Sequence, residues 1–142
     1  MRSPFTETIT LYNHAVENRT EVWRRTVIRG VQWTGKRVNA FSETGKSVFE
    51  QQINLTIPIN ADTGGKRYVG PKEYNTASDK TELWTLDPES GDDVIVYGEC
   101  PAEISADYTL SKLARDYTMV TIMAVSNNTH RAALKTWKVS CT

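Results

Sequence analysis

Apolar residues recur at every second position along much of this chain, and that spacing restricts the fold more than any other feature. The clearest case is residues 50–59, where isoleucine and leucine alternate with polar residues. Successive side chains of a β-strand point to opposite faces, so this alternation is typical of a strand with one buried face. Alternation also predicts strands over residues 5–12, 21–33, 36–41 and 134–139, and apolar runs predict strands over 83–86, 93–98 and 118–125.

Short polar stretches are predicted to separate these strands. Residues 13–18 and the pair Thr34 and Gly35 are predicted turns, and residues 87–92 carry a strong turn signal of Asp, Pro, Ser and Gly. Gly30 lies inside a strand pattern, where a lone glycine indicates a bulge or a sharp bend. Within residues 21–33, four odd-numbered apolar residues are predicted to face the core: Trp23, Val27, Val31 and Trp33.

Two segments depart from the period of two. Residues 60–80 contain Gly64 and Gly65 and few aliphatic side chains, which predicts a loop far longer than the usual length of roughly 4–6 residues. Residues 105–115 fit one short helix, capped by Ser105 or Asp107. The sequence therefore predicts one mainly β domain over residues 1–142, a small barrel or sandwich with one short helix near residues 105–115 and a long loop near residues 60–80.

Charge and composition argue against several classes of protein. The 17 Lys and Arg residues balance 17 Asp and Glu residues, whereas a general nucleic-acid binder usually has a basic excess. The N-terminus lacks the apolar stretch of a signal peptide, and no run reaches the roughly 18 apolar residues of a membrane span. We therefore expect no membrane partner. Cys100 and Cys141 form no C-x-x-C pair and are expected to be reduced thiols.

Side chains with catalytic or metal-binding chemistry are sparse. His14 and His130 both fall in predicted turns, and neither has a second ligand three or four residues away, whereas a zinc site needs three or four ligands. Cys100 has no base at a recognisable spacing, which a thiol nucleophile would need. We therefore expect no enzyme activity, no catalytic residue, no metal and no cofactor.

Basic residues cluster on the second and third predicted strands. They are Arg24, Arg25, Arg29, Lys36 and Arg37. The cluster fits either a solvated, salt-bridged sheet face or a contact with acidic neighbours, other subunits or DNA phosphates.

The predicted long loop carries a second basic group, made of Lys66, Arg67 and Lys72. Symmetry in a ring of subunits would repeat this group around an axis, and several modest charges would then produce a strong field. Trp84 flanks the loop and is the tryptophan predicted to contact another molecule, because aromatic residues are favoured at the centres of interfaces.

Four stretches, spread over nearly the whole chain, carry a likeness to a known family. They are residues 9–13, residues 27–33, residues 57–59 with the following glycine loop at 64–66 and residues 68–72, and residues 121–128 with 136–139. Together they resemble the head–tail connector proteins of tailed bacteriophages, small minor capsid proteins that include the head-closure, or stopper, proteins.

The resemblance implies a β-barrel subunit in a ring of six or twelve copies in the phage neck, which closes the head and lets DNA pass. It implies portal or adaptor proteins on the head side, tail-terminator or tail proteins on the other, DNA in the channel, and a place in the virion after assembly in the host cytoplasm. It assigns residues 60–80 to the channel. The predicted DNA-facing residues are Lys66, Arg67 and Lys72, and the candidates for contacts between subunits are Trp84, Arg24, Arg25 and Arg29.

Two alternatives stay open. One is a tail-terminator or tail-completion ring protein, which has a similar size and style. The other belongs to a different class, a carbohydrate-binding β module built on the same scaffold, and exposure of two or more tryptophans in a shared groove would favour it.

Overall fold

Six antiparallel strands close into a barrel. The computed structural model describes residues 5–41, 47–130, 132–133 and 135–142, and at residues 36–41 and 47–51 it describes the backbone alone. In chain order the elements are β1 (Glu7–Glu17), β2 (Thr20–Phe41), β3 (Ser47–Pro58), β4 (Arg67–Tyr68), α1 (Pro71–Thr76), β5 (Leu83–Trp84), β6 (Val94–Tyr97), α2 (Leu110–Asp116), β7 (Met119–Asn127) and β8 (Thr136–Cys141). The barrel order is β1–β2–β3–β8–β7–β6. The predicted mainly β fold is confirmed, and of the two predicted architectures it is the barrel.

Alternation along the strands builds the barrel interior. One buried cluster takes apolar side chains from all six barrel strands, among them Ile9 and Leu11 of β1 and Leu55 and Ile57 of β3. Each such side chain, when fully buried, contributes on the order of 1.5–3 kcal/mol. Closure of the barrel also removes the free sheet edges that an open sheet of these strands would expose.

A bulge at Gly30 changes which side chains of β2 face the interior. Gly30 has φ of +86°, and the pairing with β1 skips it, because Glu7 faces Val31 and Thr8 faces Arg29. The predicted bulge is therefore confirmed. The extra residue reverses the parity of the strand, so Ile28 and Val31 are both buried, and the prediction that Val27 shares the core face with Val31 is wrong.

The turn between β1 and β2 lies later in the chain than the predicted turn at residues 13–18. β1 continues to Glu17, which pairs with Thr20. Asn18 and Arg19 both have positive φ, 53° and 63°, as the central residues of a tight two-residue hairpin turn do. The polar residues at 13–18 suggested an exposed turn, whereas Asn13 is a buried strand residue.

Helix α2 covers the outer face of the barrel. Its residue Leu113 is buried beside Val94 and Val96 of β6, whereas Ile95 faces the interior cluster, so β6 is apolar on both faces. α2 begins at Leu110, later than predicted, because Thr109 is the residue whose side chain caps it. No helix in the described part of the chain is long and apolar enough to span a membrane.

Residues 60–80 pack against the barrel. The predicted long loop contains β4, which pairs in parallel with β5, and the short helix α1. Val69 and Tyr74 are buried with Ala15 of β1, and the Tyr68 ring lies 5.0 Å from Trp84 and 4.6 Å from Trp137. This packing holds the segment against its own subunit. The sequence did not predict it, because the few apolar side chains of the segment lack the regular alternation that marks a strand.

Strands β2 and β3 continue beyond the barrel. β2 runs straight through Thr34 and Gly35, so the turn predicted there is wrong. Its pairing with β1 ends at Val31, and the pairing of β3 with β8 begins at Ile53. Within the described residues, positions 36–41 and 47–52 therefore pair only with each other. We call this two-stranded extension the β2–β3 ribbon.

Replacement of Trp84 tests whether the interior cluster determines stability. We expect Trp84→Ala to lower the free energy of unfolding by about 3–5 kcal/mol, because it removes a large side chain from a close-packed core. Met123→Ala is the matched control, since Met123 is 57% exposed, and its effect should stay within about 0.5 kcal/mol. Chemical denaturation measures both, and equal midpoints for the two variants would contradict the assignment of Trp84 to the core.

Candidate functional site

Members of the two predicted basic groups, which are separate in the sequence, meet in one surface cleft. Arg24 and Arg25 of β2 and Lys66, which precedes β4, line a depression of about 450 Å³ together with Thr81 and Glu103. We call it the cationic cleft. Lys66 and Arg25 are 41 residues apart in the chain, so only the folded structure brings them together.

A glycine turn brings the side chain of Lys66 into contact with β2. Asp62 and Arg29 exchange two backbone hydrogen bonds, of 2.8 and 3.0 Å, which fasten the start of the turn to the strand. The Asp62 side chain accepts from the Gly64 N–H at 2.9 Å, and Gly64 and Gly65 both have positive φ, 70° and 85°. Glycine adopts this conformation without steric cost, so the chain reverses sharply just before Lys66.

Each cation of the cleft is held by a different acceptor. Arg24 donates from Nε and Nη2 to the Glu17 carboxylate, at 3.1 and 2.8 Å. Arg25 donates from Nε to the Cys100 carbonyl. Lys66 donates from Nζ to the Arg25 carbonyl at 2.6 Å and to the Thr26 hydroxyl at 3.0 Å. Both acceptors of Lys66 are neutral.

Positive charge in the cleft is only partly neutralised. Among the described residues, Arg24 has an ion pair with Glu17, and Arg25 and Lys66 have none. Burial lowers the pKa of Lys66, and the neighbouring Arg24 and Arg25 guanidinium groups lower it further. Lys66 is thus a partly buried cation whose charged form is disfavoured by burial and by its two cationic neighbours.

The remaining predicted site residues lie elsewhere. Arg29 is exposed and forms an ion pair with Glu99, and Arg67 and Lys72 are exposed side chains that do not line the cleft. Trp84 is 2% exposed and packs on Trp137, so the prediction that it contacts another subunit is wrong. Its position beside the long loop suggested exposure, but the folding of that segment buries it.

A buried polar network links β1 to the segment before β6, and it was not predicted from the sequence. Asn13 donates to the Thr85 carbonyl at 2.7 Å and to the Asp93 carboxylate at 2.9 Å, and the His14 N–H donates to Asp93 at 2.8 Å. Asp93 is 2% exposed, and its burial raises its pKa to about 6, although the His14 and Asn13 donors oppose that rise. The place of Asp93 directly before the apolar run at residues 94–96 is the signal that could have revealed it.

The histidines and cysteines do not assemble into a reactive group in the described part of the chain. His14 lies on β1 opposite Trp23, with ring centroids 4.9 Å apart, so its predicted place in a turn is wrong; His130 does lie in an exposed turn. Both cysteines are buried free thiols. No three His, Cys, Asp or Glu side chains among the described residues are grouped so that they could hold a metal. The absence of enzyme activity stays a prediction.

The fold and the cleft define a small protein with a closed six-stranded antiparallel barrel and a local cationic surface. The chain belongs to a family of unknown function, DUF6751, whose profile matches residues 5–142. No curated protein matches the chain, and no solved structure matches it.

The pH dependence of stability tests the buried carboxyl of Asp93. Its pKa in the folded protein, about 6, lies above the ordinary value, so its contribution to stability is complete below about pH 4 and is lost as the pH rises through 6. Between pH 7 and pH 5 the native protein should gain about 1.4 kcal/mol of unfolding free energy that Asp93→Asn does not gain. Urea denaturation across this range measures the difference. Parallel pH profiles for the two proteins would show that the Asp93 carboxyl titrates normally.

Proposed function

We propose that this protein is a structural subunit of the neck of a tailed bacteriophage, where copies form a ring between portal or adaptor proteins and the tail. The β2–β3 ribbon is the observation that carries the proposal, and the sequence resemblance to head–tail connector proteins points to the same class. The ribbon replaces residues 60–80 as the element that projects from the subunit.

The ribbon supports an assembly role because two strands alone are weakly stable. An isolated two-stranded hairpin is marginal in water, and six residue pairs beyond the barrel extend it by about 20 Å at the usual rise per strand residue. Within the described residues, no third strand pairs with either of its edges. Contact with another molecule would supply the missing stabilisation.

The free edges also define the kind of contact. Unpaired N–H and C=O groups along a strand edge form a template for pairing with another chain, and strand addition is a common mode of recognition. The closed barrel has no such edge of its own. Pairing between copies is therefore expected at the ribbon.

A head-to-tail contact of this kind generates a ring when the rotation between copies closes. The resemblance supplies the copy number, six or twelve, and the passage of DNA through the channel. A tail-terminator or tail-completion protein could use the same ribbon in the same way. The two roles differ in the neighbour that is bound, an adaptor or portal protein in one case and a tail protein in the other.

The tryptophans give no support to a carbohydrate-binding module. Trp84 and Trp137 are buried. Trp23 packs on His14 and Trp33 on Tyr97, and these two tryptophans are ten positions apart on β2, roughly 30 Å along an extended strand. They do not share a groove.

Removal of the ribbon tests the proposed role. Lys36 and Gln52 are partners across the ladder, so an Asn-Gly turn in place of residues 37–51 can join them as a hairpin. The full chain, expressed with portal and tail proteins of a tailed bacteriophage, should form rings of six or twelve copies, and the shortened chain should stay monomeric. Light scattering after size exclusion and electron microscopy measure the assembly.

The shortened chain must keep its barrel for this comparison to hold. Its thermal midpoint should match that of the full chain, because the interior cluster contains no residue of the deleted segment, and its far-UV circular dichroism should lose only the contribution of the ribbon strands. Rings that form equally well without the ribbon, or the absence of the protein from purified particles, would refute the proposal.

A further inference from the structure

We propose that the cationic cleft is a binding site for a phosphate group, with Lys66 and Arg25 as its charged donors. The inference is independent of the proposed ring, because it concerns one subunit and the first half of β2.

The charge of the cleft fits this ligand. Arg24 is matched by Glu17, so Arg25 and Lys66 are the two cations of the cleft without an ion pair among the described residues, and the Glu103 carboxylate in the same cleft lowers its net positive charge. A phosphate monoester carries about −1.5 to −2 charges at neutral pH, whereas a single carboxylate carries one. A half-buried cation without a counter-ion is costly, and a bound phosphate would offset that cost.

The donors are already positioned. An ammonium group has three N–H donors, and the Arg25 carbonyl and the Thr26 hydroxyl take two of those of Lys66, which leaves one. A guanidinium group has five, and the Nε donor of Arg25 is fixed on the Cys100 carbonyl. Because these bonds hold both side chains before the ligand arrives, little conformational entropy is lost on binding.

The cleft is large enough for a substituted phosphate as well as for a bare phosphate ion. A volume of about 450 Å³ lies in the range of small-molecule sites, roughly 300–1,000 Å³, and leaves room for a group attached to the phosphate. A phosphodiester of nucleic acid offers similar phosphate oxygens but carries one negative charge per phosphate, so the charge of the cleft favours free phosphate or a phosphate monoester. Glu103 also lines the cleft, and its carboxylate opposes any anion there.

Two substitutions with opposite expected effects test the site. Titration of the full chain with inorganic phosphate, followed by NMR chemical shifts, should show saturable binding that Lys66→Met weakens by roughly tenfold, the loss expected for a charged hydrogen bond. Glu103→Gln should tighten binding several-fold. Glu103 is exposed, so that variant keeps the proposal testable if Lys66→Met fails to fold. Lys72→Met, on α1 and outside the cleft, is the matched control and should bind as the native protein does.

A second titration with a short single-stranded oligonucleotide separates the two sources of the phosphate. If the cleft accepts a phosphodiester, the slope of log affinity against log salt concentration should become less steep by about 1 in Lys66→Met. Binding of inorganic phosphate without binding of the oligonucleotide assigns the site to free phosphate or a small phosphate ester. Equal phosphate affinities for the native protein, Lys66→Met and Glu103→Gln would overturn the proposal. Binding of a glutamate-rich peptide with no binding of phosphate would overturn it too, in favour of an acidic protein partner.

Discussion

The bulge at Gly30 divides β2 into two halves, and the rest of the structure depends on that division. Residues 20–31 pair with β1, and residues 32–41 pair with β3. Gly30 has φ of +86°, a conformation that residues with a side chain rarely adopt. Without the extra residue, Val31 and every following side chain of β2 would turn to the opposite face of the sheet. The first half of the strand contributes Arg24 and Arg25 to the cationic cleft, and the second half, beyond the bulge, continues into the ribbon.

Two charged side chains, Asp93 and Lys66, hold irregular segments against the barrel, and they differ in the groups that surround them. Asp93 accepts from three donors of its own subunit that converge on its carboxylate, although its burial still raises its pKa. Lys66 has two neutral acceptors and two cationic neighbours. A buried charge that is satisfied internally is typical of a structural role, whereas an unbalanced cation in a cleft is a candidate for binding. This contrast is why the phosphate site is placed at Lys66.

Local patterns in the sequence predicted the strands well, and non-local contacts explain where they failed. Alternation marked the interior faces of β1 and β3, and the lone Gly30 marked the bulge. The turn predicted at Thr34 and Gly35 was wrong because pairing with β3 carries the strand through two residues that favour turns elsewhere. The proximity of Lys66 to Arg25 depends on the glycine turn and on its two backbone bonds to β2, which no spacing of residue types records.

Balanced charge and a local cationic cleft have a combined consequence in an assembly. Equal numbers of acidic and basic residues mean that copies of the chain do not repel one another through net charge, so strand pairing at the ribbon meets little electrostatic opposition. Rotational symmetry would then place every copy of the cleft at the same radius and the same height. Each cleft, which combines the cations of Arg25 and Lys66 with the carboxylate of Glu103, would then repeat a local positive potential at one level of such a ring, although the whole assembly stays near neutrality. A subunit of this composition can therefore attract a polyanion at one level of a ring without becoming a general nucleic-acid binder.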